Sequence, residues 1–401
     1  MKGAGDLSAD QLLAIEESWG AHNYHPLPIV IAQAQGAWVT DVDGRRYLDC
    51  LSAYSALNQG HVHPTILKVF QEQAARVTLT SRAFHNDQLP LLCRELAERC
   101  HSDTVLPMNT GAEAVETAIK AARRWGYQKK GIAPDTAEIV VCHGNFHGRT
   151  TTLVGFSSEP EYRRHFGPFT PGFVAVPFGD IDAMHAVIRP ETCAVLIEPI
   201  QCEAGIVMPP AGYLRAVADL CRANDVLLMA DEIQTGLGRT GAWFACDHEQ
   251  VRPDIYILGK ALSGGFYPVS AVVGRADVMN VFTPGSHGST YGGSPLAAAV
   301  ARAALRVIDE EQLVDRAATL GRALMKALAS IRGGVVLDVR GRGLLVGIEL
   351  DRPARIYCER LMARGVLCKE THERVIRLAP PLVIAAADLH WMVEQIVAVL
   401  H

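Results

Sequence analysis

Five short apolar runs recur through the middle of the chain: EIVVC (138–142), AVLIE (194–198), VLLMAD (226–231), IYIL (255–258) and VSAVV (269–273). Several show no polar alternation, as strands do when both faces are buried, and helical patterns separate many of them. The expected product is an α/β unit, a mostly parallel sheet between helices. One flanking helix is explicit. Val115, Ala118, Ile119, Ala122 and Trp125 recur at helical spacing, and Thr110 with Glu113 forms a capping box in front of them, so NTGAEA starts a helix.

After about residue 285 the pattern changes to a Gly-rich stretch, a long helix through LAAAVARAALRVIDEE, and β-like LLVGIEL and VIRLAP. This reads as a second, smaller α+β domain. The opening segment carries a hairpin signal at Asp43-Gly44 within WVTDVDGRRYLDC and is expected to pack with that domain. The division expected is residues 1–49 as the N-terminal segment of the small domain, 50–285 as the large domain, and 286–401 as the C-terminal small domain.

A chain of 401 residues is long enough for a large core with a smaller companion. The net charge of −5 argues against a polyanion such as nucleic acid and directs attention to small metabolites. The ten cysteines are scattered without a CxxC pair, which suits reduced thiols in a cytosol rather than a disulfide framework. The start, MKGAGDLSADQLLAIEESWG, has neither an apolar h-region nor an Arg-rich stretch, so a cytoplasmic location is expected. No apolar run approaches membrane-spanning length.

In an open α/β sheet, ligands bind beyond the carboxyl ends of the strands. Asp231 closes VLLMAD, Glu198 closes AVLIE and Lys260 follows IYILG, so all three are expected there. A lysine alone at such a place is usually a solvated charge. A lysine can instead form a Schiff base with a carbonyl cofactor, and a pyridoxal-phosphate lysine works with an acid or base at the pyridine nitrogen. Asp231 can be that acid. The Gly111-Ala112 start of the capped helix offers N–H groups for a phosphate. GLGRTG (236–241) satisfies the dinucleotide pattern GxGxxG, but its glycines do not follow a strand directly, and AWFACDHEQVRPD leaves little room for the helix that pattern needs. His61 with His63, or His143 with His147, lack the carboxylates or thiols that would complete a metal site, so no metal is expected.

Lysine, acid and anion site are embedded in LSAYSALNQGHVHP, TSRAF, VLPMNTGAEAVETA, GNFHGRT, EPIQCEAG, ADEIQTGLGRTG, LGKALSGG and HGSTYGG. With these blocks in order, the chain resembles the class III, fold-type I aminotransferases from about residue 21 to 384, and within them the branch acting on ornithine. The resemblance implies a pyridoxal 5'-phosphate transferase that passes the δ-amino group of ornithine to 2-oxoglutarate, the alternative being a relative that takes acetylornithine, 4-aminobutyrate or another ω-amine, or one that racemises. It implies Lys260 as the covalent attachment and proton carrier, Asp231 at the pyridine nitrogen, Gln234 at the phenolic oxygen, and Phe146 and Ile233 on the two ring faces. Gly111 and Ala112 would hold the phosphate, joined by Ser289 and Thr290 from the second subunit of a homodimer. Tyr24, Tyr54 and Arg149 would hold the distal end of ornithine, while Glu203 and Arg377 would alternate between the two substrates. His147 and Cys202 depart from the family pattern as usually written, NFWGRT and EPIQGEAG.

Overall fold

The structure, a computed structural model, describes residues 7–331 and 334–400. Residues 1–6, on which part of the N-terminal reading rests, lie outside the described residues.

Strands β1 (Ile31–Gln35), β2 (Trp38–Asp41) and β3 (Arg46–Asp49) form an antiparallel ribbon. The β2–β3 turn falls at the expected Asp43-Gly44. The Asp41 carboxylate accepts from the N–H groups of Asp43 at 3.0 Å and Arg45 at 2.8 Å, and Gly44 takes a φ of 83° that a side chain would strain.

The central sheet has seven strands: β4 (Thr104–Met108), β5 (Glu138–Cys142), β6 (Phe173–Val176), β7 (Thr192–Ile197), β8 (Leu227–Asp231), β9 (Ile255–Leu258) and β10 (Ser270–Gly274). Their spatial order is β4-β10-β9-β8-β7-β5-β6. Strands β5 to β9 are parallel, whereas β10 runs antiparallel to both of its neighbours, β4 and β9. All five runs singled out in the sequence are strands of this sheet. The two that escaped notice, β4 and β6, are its edges. Pro107 interrupts β4, a residue the ladder tolerates only at an edge, and β6 is only partly buried.

Alternate residues of the inner strands serve opposite faces. Ile139 and Val141 pack with the helix Gly111–Trp125, while Val140 and Cys142 pack with the helix Tyr213–Ala223. The first helix crosses β10, β9 and β7 through its buried Ala114, Ala118, Ala121 and Ala122, small residues that let it lie close.

Beyond the central sheet lie β11 (Val336–Arg342), β12 (Leu345–Leu350), β13 (Val366–Leu367), β14 (Lys369–Thr371) and β15 (Val375–Leu378). Four of these make an antiparallel sheet in the order β11-β12-β15-β14, and β13 instead pairs in parallel with β3. The opening ribbon is thus completed by a strand from the far end of the chain. GLGRTG has its own structural use. Arg239 is wholly buried, and its guanidinium donates to the carbonyls of Leu344 at 2.9 Å and Pro380 at 2.5 Å and to Asn58 Oδ1 at 2.5 Å. That fork ties the turn after β8 to the C-terminal sheet and to the loop after β3.

Candidate active site

Because β4, β5, β7, β8 and β9 point the same way, their carboxyl ends converge. Asp231 is the last residue of β8, Glu198 follows β7, and Lys260 stands two residues past β9. The loop after β5 delivers Phe146 and His147, and the loop after β4 opens the helix at Gly111. These residues line one cavity of about 130 Å³, together with Ala112, Ile233, Gln234 and Cys202. Lys260 has a φ of 45°, left-handed backbone that costs a non-glycine residue energy and persists only where the surroundings enforce it.

Asp231 is 6% exposed, and each of its oxygens accepts a hydrogen bond. Its Oδ1 accepts from the Ile233 N–H at 3.1 Å, and its Oδ2 accepts from His147 Nδ1 at 2.7 Å. Burial works against a charge on His147, but the hydrogen bond and charge of Asp231 outweigh it and hold the imidazole pKa above its ordinary value. Glu198 stands behind them, accepting from the Phe146 N–H at 2.9 Å. Burial pushes its pKa up to about 8, with Asp231 adding to the effect and His147 opposing it. Sequence reasoning missed the His147–Asp231 pair. Its one available signal was a histidine inside GNFHGRT.

The helix that starts at Gly111 is capped so that its first N–H groups stay open. Thr110 Oγ1 accepts from the Glu113 N–H at 3.3 Å, and Glu113 Oε2 accepts from the Thr110 N–H at 2.9 Å. That leaves Gly111 and Ala112, the first two helical residues, without intrahelical acceptors for their N–H groups. A Cβ on Gly111 would come within 2.9 Å of Ile233 Cδ1, so glycine there lets Ile233 lie over the cavity.

A second cavity of about 360 Å³ adjoins the first through Lys260 and Phe146. It brings together Tyr24, Tyr54, Arg149, Glu203 and Arg377, the whole expected substrate set, and adds Tyr162 and the strand residues Lys369 to Thr371. Arg377, 1% exposed, places Nη1 2.5 Å from Glu203 Oε1 and its guanidinium 4.8 Å from the centre of the Tyr54 ring. Burial alone would raise the Glu203 pKa, but the charge and hydrogen bond of Arg377 outweigh it and hold the carboxyl below its ordinary range. Tyr54 reaches the cavity from a turn in which Ser52, Ala53, Tyr54 and Ser55 all have φ between 43° and 68°. Ser289 and Thr290 do not reach either cavity of their own chain. Thr290 is exposed, and Ser289 Oγ accepts from Asn109 Nδ2 at 2.9 Å. Among the described residues no cluster of three or more His, Cys, Asp or Glu is arranged to hold a metal; His61 bonds Asp49 at 2.8 Å and His63 bonds Glu311 at 2.7 Å.

Residues 19–400 match the family described as Aminotransferase class-III. The chain belongs to the class III aminotransferases. Ornithine aminotransferase of an Exiguobacterium species is 58% identical to this aminotransferase, the match covering 97% of each chain. That of Halalkalibacterium halodurans is 56% identical, covering 98% of this chain and 99% of the relative. Among solved structures, the ornithine aminotransferase of Toxoplasma gondii superposes with a TM-score of 0.97 at 44% identity, covering 98% of this chain and 94% of that one, and is described with partial occupancy of PLP at its active site. The acetylornithine aminotransferase of Elizabethkingia anophelis, also 44% identical, has a TM-score of 0.90 over 98% of this chain and 99% of that one.

The cofactor of these aminotransferases is pyridoxal phosphate, and the first cavity fits it. It offers two open N–H groups at a helix N-terminus for a phosphate, a lysine for an aldehyde and a buried carboxylate braced by a histidine for a ring nitrogen. No helix among the described residues is long and apolar enough to cross a membrane.

Proposed function

We propose that this aminotransferase moves the δ-amino group of L-ornithine to 2-oxoglutarate, giving glutamate and glutamate 5-semialdehyde, which cyclises to pyrroline-5-carboxylate. The observation that carries the reading is the pair of arginines in the second cavity. Arg377 is neutralised by Glu203, whereas Arg149 has no carboxylate within 4.0 Å among the described residues. A donor whose carboxylate lies far from its reacting amine needs that division, and the close likeness to ornithine aminotransferases supports it.

When bound, pyridoxal phosphate supplies an aldehyde that takes the amino group and a ring that accepts the electrons of a broken C–H bond. Lys260 would hold that aldehyde and carry the proton from the donor's δ-carbon. Asp231, oriented by the hydrogen bond from His147, would hold a proton at the pyridine nitrogen, and Gln234 would donate to the phenolic oxygen. Phe146 and Ile233 would enclose the ring, and Gly111 and Ala112 would bind the phosphate. Tyr24, Tyr54 and Arg149 would fix the distal amino and carboxylate groups of ornithine. Ser289 and Thr290, which do not line their own chain's cavities, would complete the phosphate site of a partner subunit, so the working unit would be a homodimer. In that reading residues 50–285 form the cofactor domain, and both chain ends form the smaller one.

Steady-state comparison of ornithine, N-acetylornithine and 4-aminobutyrate with 2-oxoglutarate tests the donor. Ornithine should give the largest kcat/KM, and parallel double-reciprocal lines should show that one site serves both halves. A larger kcat/KM for N-acetylornithine would assign the enzyme to the other branch.

A further inference from the structure

The two arginines of the substrate cavity are held by different chemistry. Arg377 is countered by a carboxylate at 2.5 Å, and Arg149 by aromatic rings: its guanidinium carbon lies 3.7 Å from the centre of the Tyr162 ring and 5.2 Å from that of Phe146. The two rings meet edge to face, with centroids 6.1 Å apart and planes at 79°. Tyr162 stands on the short helix Pro160–Arg163 and is half-buried, lining the substrate cavity on one side and an outer hollow of about 290 Å³ on the other.

A guanidinium stacked on an aromatic face is attracted by the ring quadrupole yet keeps its charge and its in-plane N–H groups. A carboxylate partner would consume both. Stacking therefore orders Arg149, which is otherwise exposed, without occupying the edge that a substrate carboxylate needs. The difference matters because one end of each substrate is expected at Arg149 whichever substrate is bound: the α-carboxylate of ornithine, and the carboxylate of 2-oxoglutarate remote from its keto group.

We infer that Tyr162 is a positioning residue for substrate recognition, an aromatic platform that keeps Arg149 aimed, charged and uncommitted as the permanent carboxylate anchor. This rests on the assignment of Arg149 in the proposed function. Unlike the Glu203–Arg377 pair, the platform serves both halves of the reaction alike.

The test compares Tyr162→Phe, which keeps the ring, with Tyr162→Leu and Tyr162→Met, which remove it, in the holoenzyme. Removing the ring should raise KM for ornithine and for 2-oxoglutarate together, by about tenfold, with a much smaller change in kcat, and Tyr162→Phe should stay within about twofold of the parent in both. Calorimetric titration with glutarate, a dicarboxylate that cannot react, should show the same loss in the ring-less variants. In an Arg149→Ala background Tyr162→Leu should weaken glutarate binding no further, since the ring acts through the arginine. Unchanged glutarate affinity in both ring-less variants would overturn the proposal. So would an equal penalty with and without Arg149, or a Tyr162→Phe variant as impaired as Tyr162→Leu. Glutarate binding separates this outcome from the choice of donor: were the parent enzyme to prefer another ω-amine, the comparison of variants would still decide what Tyr162 does.

Discussion

Glu203 and Arg377 meet inside the second cavity, which in the proposed reaction would accept a cationic donor and a dicarboxylate in turn. With the pair closed, Arg377 would be kept from capturing the α-carboxylate of ornithine and presenting the wrong amine. With it open, the same arginine can grip the α-carboxylate of glutamate or 2-oxoglutarate as a two-donor fork. Glu203→Ala should therefore spare or improve the glutamate half-reaction and impair the ornithine half. Arg377→Ala should cripple the glutamate and 2-oxoglutarate half and leave the ornithine half comparatively intact. Single-turnover rates of each half resolve this, and equal losses in both halves for both variants would make the pair structural. Glu198 offers a second, thermodynamic check. Its folded pKa is raised by burial from 4.5 to about 8, so the stability of the protein is greatest below the ordinary carboxylate range in this respect and falls as pH rises through the folded value. Glu198→Gln removes that dependence. In cofactor-free protein the stability of the variant relative to the parent should grow between about pH 4.5 and 8 and then level off, and a difference flat with pH would show that Glu198 ionises freely. Lys260 and Asp231 were legible in the sequence because each ends or follows an apolar run. The Asp231–His147 contact and the Tyr162 platform were not, since no periodicity joins residues 84 apart or marks which aromatic ring will lie under which arginine.

At the scale of elements, the wholly buried runs declared themselves by composition, and the helix from Gly111 by its period and cap. The edge strands did not, because a proline in β4 and partial exposure in β6 erase the signal. Strand direction was likewise hidden: nothing in VSAVV distinguishes antiparallel β10 from its parallel neighbours, since burial on both faces demands the same residues of either. The least legible element is the turn Ser52–Ser55, four successive non-glycine residues with positive φ that carry Tyr54 to Arg377. Left-handed backbone costs an L-residue about 1–2 kcal/mol, which tertiary contacts such as the hydrogen bond from Ser52 Oγ to the Ala379 carbonyl must offset here. Ala53→Gly relieves one such site at the expense of a more flexible unfolded chain. It should leave unfolding free energy unchanged or raise it by up to about 1 kcal/mol. A loss larger than that in denaturant titration would mean that the turn is not strained.

At the scale of the whole molecule, the parallel strands gather residues from five separate loops at one sheet end, and the substrate cavity is closed by a strand and turn from opposite ends of the chain. The order of blocks along the sequence made the family legible, but the crossing of β13 onto β3 was not, because a two-residue strand has no pattern. The proposed function comes down to one chemical statement: the amine nearest Lys260 would be the δ-amine of ornithine, and the α-amine would stay at the far end by Tyr24, Tyr54 and Arg149. The direct measurement is transfer of label from ornithine carrying nitrogen-15 at the δ position only, with 2-oxoglutarate as acceptor. The glutamate formed should carry the label and the carbon product should be unlabelled on cyclising to pyrroline-5-carboxylate through its retained α-amine. Unlabelled glutamate, with the nitrogen-15 left in the ornithine-derived product, would show that the α-amine reacts and that the cavity holds its substrate the other way round.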